Sequence, residues 1–486
     1  MNPSNHPHHG RRWKILAFLA LAQLMVVLDA TIVNIALPSA QADLGFGDAS
    51  RQWIITAYAL AFGSLLLMGG RMSDFFGRRR ALITGLTGFA LASSLGGIAP
   101  SFEVLVGARA LQGLFGALLA PAALSTLTTT FTEPGERGKA FAVYGAVAGG
   151  GGAVGLLLGG LLTEYLDWRW CMFVNVAFAI PAAMGLLRLL ENRVDRREIS
   201  MDIPGALAAS LGLFGIVFGF SRAEADGWTA AVTLVSLVAG VLLLFAFILV
   251  ERRADAPLLP LRVVTDRNRA GSYLAVAVAG ASMFGVFLFL TYYMQQTLGF
   301  SPVETGLAFL PMIAFLMVGS VSSSTRLMPR FGPRPLVPTG MVLAAAGMVF
   351  LTGVGVDSTY ATAVLPGLCL VGLGFGLVIA PSMASATLGV ASADAGVASA
   401  MVNTCQQVGG SVGTALLSTI SASAISAFAS GKVPGPEFAA QAAVHGYTTA
   451  FWWSAAILAT GAVVTAATLR SGRPQVEAEG ELAMAH

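Results

Sequence analysis

Apolar runs of about 20 residues, each long enough to cross roughly 30 Å of hydrocarbon at 1.5 Å per residue, recur along the whole sequence. Fourteen can be delimited: 14–38, 52–70, 80–99, 103–128, 139–162, 168–189, 203–221, 228–250, 270–292, 304–325, 336–355, 360–386, 396–424 and 448–470. They are continuous rather than alternating, which predicts helices and excludes a lipid-facing barrel, whose strands carry a period of two. Composition points the same way. Only 11% of the residues are charged, against about 25% in soluble domains, too few to coat a solvated surface and ample for one that faces lipid. The expected class is an all-α integral membrane protein.

The few charges orient it. Of the 28 Lys and Arg, 23 fall on one side of the fourteen spans; four (Arg51, Arg169, Arg222 and Lys432) fall on the other, and Arg109 lies within a span. Lys and Arg mark the cytoplasmic side of a bilayer, so both termini are expected in the cytoplasm of a multi-pass protein of the inner or plasma membrane. The net charge of +3 thus reflects topology, and nucleic acid is not an expected partner. A cleaved signal at Ala40-Gln41-Ala42 is rejected, because the preceding run exceeds the roughly 7–15 residues of a signal core and carries Asp29. His6, His8 and His9 read as a flexible tail. Cys171, Cys369 and Cys405 lie inside apolar runs, so they draw neither a disulfide framework nor a metal spacing. No cofactor is expected.

An internal repeat divides the chain. GRMSDFFGRRRAL from Gly70 matches TRLMPRFGPRPLV from Thr325, with Gly77 and Gly332 at an offset of 255; VLVGARALQGLFGALLAP from Val104 matches VLPGLCLVGLGFGLVIAP from Val364 at an offset of 260. Two six-helix halves follow, residues 1–190 and 266–470. A linker, 191–265, carries two inserted spans, and a tail covers 471–486. Parallel halves are a transporter architecture with its site between them near the bilayer midplane. Arg109 aligns with Cys369 and Asp74 with Pro329, so charge chemistry is expected in the first half.

Asp29 and Arg109 lie at similar depth, about 13 and 9 Å from the ends of their spans. Ionisable residues so deep face a cavity or each other and mark ion pathways. Burial disfavours a charged carboxylate while a guanidinium favours it, so relative movement of the two helices can switch a proton on and off Asp29. A static pair joining two helices is the plainer alternative. Span five reads YGAVAGGGGAVGLLLGGLL, with glycines at 145, 149, 151, 155 and 159. That spacing packs helices closely, and a sliding surface uses the same property. It is not a phosphate loop, because no Lys-Ser or Lys-Thr follows. Phe284, Phe287, Phe289, Tyr292, Tyr293, Gln295 and Gln296 cluster in span nine and its exit; span thirteen adds Asn403, Gln406 and Gln407. Phe284, Phe287, Tyr292, Asn403, Gln406 and Gln407 are the candidates for substrate contact. Tyr292 and Tyr293 also fit an interfacial anchoring belt, and the amides fit interhelical hydrogen bonding.

These motifs resemble the major facilitator superfamily, and within it the fourteen-span drug:proton antiporters, over residues 14–470. LDATIVNIALP from Leu28 looks like that group's first-span motif. Gly70, Asp74, Gly77, Arg78 and Arg79 occupy the matching positions of the gating-loop motif, and RALQG from Arg109 looks like the fourth-span motif whose arginine is implicated in proton coupling. Gly151, Gly155, Gly159 and Gly160 look like the fifth-span antiporter motif, with Leu156 where that motif has proline. The resemblance implies a major facilitator fold with 14 transmembrane helices, two six-helix halves plus two inserted helices. It also implies alternating access driven by proton influx, exporting small hydrophobic or cationic compounds such as antibiotics. No deep acid stands in span thirteen, so neutral or monocationic substrates are expected. The expected state is a monomer in a lipid bilayer. Rival readings are a metabolite importer or symporter in which Arg109 binds an anion, and a polytopic membrane enzyme; the second would need a cluster of loop acids or histidines that the sequence does not contain.

Overall fold

The structure, a computed structural model, describes residues 11–47, 50–131, 134–191, 202–254, 257, 259–387, 390, 395–430 and 436–470. For some helical residues within these ranges, Asp74 among them, the backbone alone is described. The His6, His8 and His9 tail and residues 471–486 lie outside the described residues.

Among the described residues, fourteen helices of 19 residues or more carry the chain. They are α1 Arg12–Leu44, α2 Gln52–Phe76, α3 Arg78–Gly97, α4 Phe102–Thr130, α5 Pro134–Tyr165, α6 Trp170–Leu189, α7 Ile203–Asp226 and α8 Ala231–Glu251. After a short helix at Leu261–Thr265 come α9 Arg267–Tyr292, α10 Pro302–Ser322, α11 Pro333–Leu351, α12 Leu365–Thr387, α13 Ala395–Ala429 and α14 Pro436–Thr468. By length and composition, 11 of these are apolar enough to cross a membrane; α2, α3 and α5 fall outside that set. The helices differ in how much of themselves they bury inside the protein, from 17% of the apolar stretch of α8 to 72% of that of α9. Val235, Val238, Leu242 and Phe245 of α8 are all more than half exposed, an apolar surface suited to lipid.

The repeat is visible as packing. In the first half α1 packs on α5 and α6, α4 on α2 and α3, and α3 on α6. In the second, α9 packs on α13 and α14, α12 on α10 and α11, and α11 on α14. Every pair recurs with its counterpart. Gly77 (φ 91°) and Gly332 (φ 73°) make the same turn between the second and third helices of each half, and a left-handed backbone there favours residues without a Cβ. A second correspondence follows the first helices: Leu44-Gly45-Phe46 and Leu298-Gly299-Phe300 share an offset of 254, with Gly45 at φ 69° and Gly299 at φ 71°. Phe46 meets Phe102 at the start of α4 with ring centroids 4.9 Å apart; Phe300 meets Tyr360, just before α12, at 5.9 Å.

The halves meet along two seams, α2 against α13 and α5 against α10, and the inserted helix α7 packs on both α2 and α13. Ser210 of α7 donates to the Ser64 carbonyl of α2 at 2.9 Å. One end of the molecule, the face with the α1–α2 and α3–α4 turns, is poor in arginine; the other, with the α2–α3 turn, is rich in it. Three hydrogen bonds join the halves at the arginine-poor face. Tyr292 donates to Gln41 Oε1 at 2.5 Å, Gln295 donates to the Ile35 carbonyl at 3.2 Å, and the Val303 N–H donates to Glu164 at 3.0 Å.

Candidate functional site

The site is assembled by five helices of the first half. α4 carries Arg109 and, one turn on, Gln112; both project onto Asp29 of α1. Arg109 Nη1 lies 2.6 Å from Asp29 Oδ2 and also donates to Gln112 Oε1 at 2.9 Å. Gln112 Nε2 donates to Asp29 Oδ1 at 2.8 Å and to Ser93 Oγ of α3 at 2.5 Å. From α6, Asn175 Nδ2 donates to the same Asp29 oxygen at 2.7 Å and to Ser93 at 2.9 Å. α2 supplies the remaining walls. Its Ile54 carbonyl accepts from Arg109 Nε at 3.1 Å, and the Tyr58 ring lies under the guanidinium with its centroid 4.4 Å away.

Asp29, Gln112, Ser93 and Asn175 are fully buried, and Arg109 is 2% exposed. A carboxylate accepts only, and three side chains here donate to it, so the constellation fits the ionised acid. Taking both charges out of water costs several kcal/mol per ion, which only such additional hydrogen bonds offset. Sequence reasoning placed Asp29 and Arg109 at one depth, and the structure brings them into contact. It missed Gln112, Ser93, Asn175 and Tyr58. Gln112 and Asn175 carried a signal, a lone amide inside an apolar span; Ser93 and Tyr58 carried none, since a single hydroxyl is common in such helices.

The glycine face of α5 packs on α1. A Cβ at Gly155 would stand 2.0 Å from Thr31 Oγ1, while Gly151 faces Leu24 and Val27, and Gly159 faces Ile32. Gly160 turns instead to α10, where a Cβ would meet Pro302 and Val303 at 2.7 Å. Leu156 is fully buried beside it, against Gly306. One stretch of α5 therefore touches both halves. At the arginine-rich face, Gly77 caps α2, Arg78 donates to Thr129 of α4 at 3.0 Å, and Arg79 donates to the Leu187 carbonyl at the C-terminal end of α6 at 2.9 Å. There it also complements the helix dipole. Gly70 is half-buried near Pro121. The side chain of Asp74 lies outside the described residues.

Of the residues considered for substrate contact, Phe284 packs on Gly410 of α13, and Phe287 meets Phe309 of α10 with centroids 5.0 Å apart. Asn403, Gln406 and Gln407 are half-buried on α13, with Gln407 Cβ 3.0 Å from where a Cβ at Gly63 of α2 would stand, so this residue sits on the seam between halves. Tyr292 and Tyr293 form no anchoring belt. Both are fully buried, Tyr292 against Gln41 of the other half and Tyr293 donating to the Gly355 carbonyl at 2.8 Å. A belt residue keeps its hydroxyl in the headgroup layer, whereas these hydroxyls are spent inside the protein.

A membrane bundle built twice over, with a buried ion pair in one half and the two halves meeting along two seams, has the architecture of a transporter. The chain belongs to the major facilitator superfamily, whose family model matches residues 19–414, and its members are transporters and not enzymes. It is similar to the puromycin resistance protein pur8 of Streptomyces alboniger, 53% identical over 93% of this chain and 90% of that protein. It is similar also to the cephamycin export protein CmcT of Amycolatopsis lactamdurans, 40% identical over 85% of each, and to the multidrug efflux pump LfrA of Mycolicibacterium smegmatis, 32% identical over 86% of this chain and 82% of that one. Among solved structures, a bacterial homologue of the human lysosomal transporter Spinster, inward-facing and unoccupied, shares the fold. The TM-score is 0.65 at 16% identity, covering 96% of this chain and 98% of that one.

Proposed function

We propose that the protein is an efflux pump of the cell membrane that expels hydrophobic or amphipathic antibiotic-like molecules by alternating access, in exchange for protons. All fourteen long helices cross the bilayer in this reading. Two six-helix halves, 1–190 and 266–470, rock about the cleft, and α7 and α8 form the inserted pair. The arginine-rich face and both termini lie in the cytoplasm, as the 23-to-4 division of basic residues supports. The conformation described is then the one closed to the outside. Export is supported by whole-length likeness to proteins named for antibiotic resistance and export.

The observation that carries proton exchange is Asp29, held by Arg109, Gln112 and Asn175 in full burial. Withdrawal of those donors would leave a carboxylate in an apolar interior, where it takes up a proton; their return expels it. The proton gradient is the energy source. Phe284, Phe287, Tyr292, Asn403, Gln406 and Gln407 are proposed to meet the substrate during the cycle, presenting rings and amides but no charge. Gly70, Asp74, Gly77, Arg78 and Arg79 gate the cytoplasmic side, and Gly151, Gly155, Gly159 and Gly160 form the surface on which α5 moves.

The test is a panel of toxic compounds applied to cells with and without the protein, with and without a proton uncoupler. Resistance should accompany the protein and vanish on uncoupling, and everted vesicles given an imposed pH gradient should accumulate the same compounds. Asp29→Asn should abolish the gradient-driven uptake. Efflux that survives uncoupling, or an active Asp29→Asn protein, rules out the exchange.

A further inference from the structure

The proton pair is connected to the arginine-poor face by one helix, and the connection runs through a residue that charge counting treats as an ordinary loop arginine. Arg51 precedes α2 and is only 5% exposed. Its guanidinium lies over the ring of Tyr292 of α9, 4.1 Å from the centroid, and 6.0 Å from that of Tyr447 of α14. Both rings belong to the opposite half. Tyr292 is itself fixed by its hydrogen bond to Gln41 of α1, so the ring bridges back to the half that sends the arginine.

Positions 51, 54 and 58 stand three and four residues apart and share one stripe of a helix. On that stripe Arg51 reaches across to the second half, while the Ile54 carbonyl and the Tyr58 ring hold Arg109. The first two turns of α2 thus bind the opposite half at one end and the proton pair's guanidinium at the other. A contact across the halves exists only when this face is closed, so it stabilises that state over the other by its full strength. A cation seated on an aromatic face out of water is among the stronger of such contacts.

We propose that Arg51 and Tyr292 form the latch of the arginine-poor gate, and that α2 ties this latch to Arg109, making Arg51 a positioning residue for the Asp29–Arg109 pair. The proposal rests on the alternating-access reading above but not on its proton. The experiment therefore measures conformation alone. In protein reconstituted in nanodiscs, with Cys171, Cys369 and Cys405 replaced, spin labels at Leu166→Cys and Thr359→Cys report the distance between the halves at this face.

Arg51→Gln and Tyr292→Leu are each expected to raise the open-to-closed ratio about 5–30-fold, Tyr292→Leu the more because it also removes the hydrogen bond to Gln41, and the double variant should fall well short of the product of the two. Arg51→Lys, which keeps the cation, and Tyr292→Phe, which keeps the ring, should shift it less. Combined with Arg109→Gln, Arg51→Gln should show an effect that is not the product of the two single effects, since both act through α2. An unchanged distance in Tyr292→Leu, or multiplicative effects for Arg51→Gln with Tyr292→Leu, overturns the latch. Multiplicative effects for Arg51→Gln with Arg109→Gln overturn the tie. Loss of proton dependence in transport with these distances behaving as expected would count against the proton reading and leave the latch standing.

Discussion

The two halves share a helix-packing plan but differ in what they place at its centre. In the first, Asp29, Tyr58, Ser93, Arg109 and Gln112 form one hydrogen-bonded and stacked cluster. At the repeat offsets of 254, 255 and 260, the second half has Met283, Ile313, Met348, Cys369 and Gly372. No charge remains there. The second half has instead three single π-helical turns, Tyr293–Thr297, Ser323–Leu327 and Tyr360–Val364; among the described residues the first has none. Such turns often mark functional positions in helices. One half has kept a buried site for charge, and the other has irregular backbone and buried aromatic side chains.

The largest expected effect comes from breaking the charged centre. Arg109→Ala leaves Asp29 buried without its counter-charge and should cost about 3–5 kcal/mol, seen as a large drop in the thermal unfolding temperature and complete loss of efflux. Cys369→Ala, its counterpart, should cost about 1 kcal/mol or less. Equal losses at the two positions would erase the distinction between the halves.

Packing should behave alike in both. A Cβ at Gly155 would crowd Thr31 of α1, and one at Gly413 of α13 would stand 2.4 Å from Ala281 of α9, so each Gly→Ala substitution should cost about 1–3 kcal/mol. Thermal unfolding of the two variants in one detergent checks this, and a neutral Gly413→Ala would show that the second half repeats the plan without its tightness. Smaller again, Asn175→Leu and Gln112→Leu remove donors to Asp29 and should cost about 1–2 kcal/mol each, with gradient-driven transport falling further than stability. The least effect is expected at the surface. Arg169 pairs with Asp43, which also accepts from Trp168 at 3.1 Å; Arg169→Ala should cost about 1 kcal/mol at most, less in high salt.

Much of this was legible in the sequence. Gly77 and Gly332 disclosed the repeat because a turn that needs a positive φ restricts its residue. The second correspondence, Leu44-Gly45-Phe46 with Leu298-Gly299-Phe300, is just as plain once the turns are seen but too short to stand out alone. The partners of Asp29 were harder. Gln112 sits in the same motif as Arg109, yet Ser93 and Asn175 come from α3 and α6, and nothing in either run says that their polar atoms converge. Arg51 was counted as a topology charge, since hydropathy cannot tell a loop arginine in water from one seated on a ring of the other half.

The sequence alone pointed to the solvent, to helices and to a duplication, because a bilayer demands long apolar helices and a repeated turn demands glycine again. It also placed one acid, Asp29, and one cation, Arg109, at similar depth inside the spans. Which hydrogen bonds hold them, that Tyr292 and Tyr293 are buried, and which face carries the hydrogen bonds between the halves were decided only by the tertiary structure. The reason is geometric: these properties depend on side chains from separate helices arriving at one point, and the order of residues along any one helix carries no record of its neighbours.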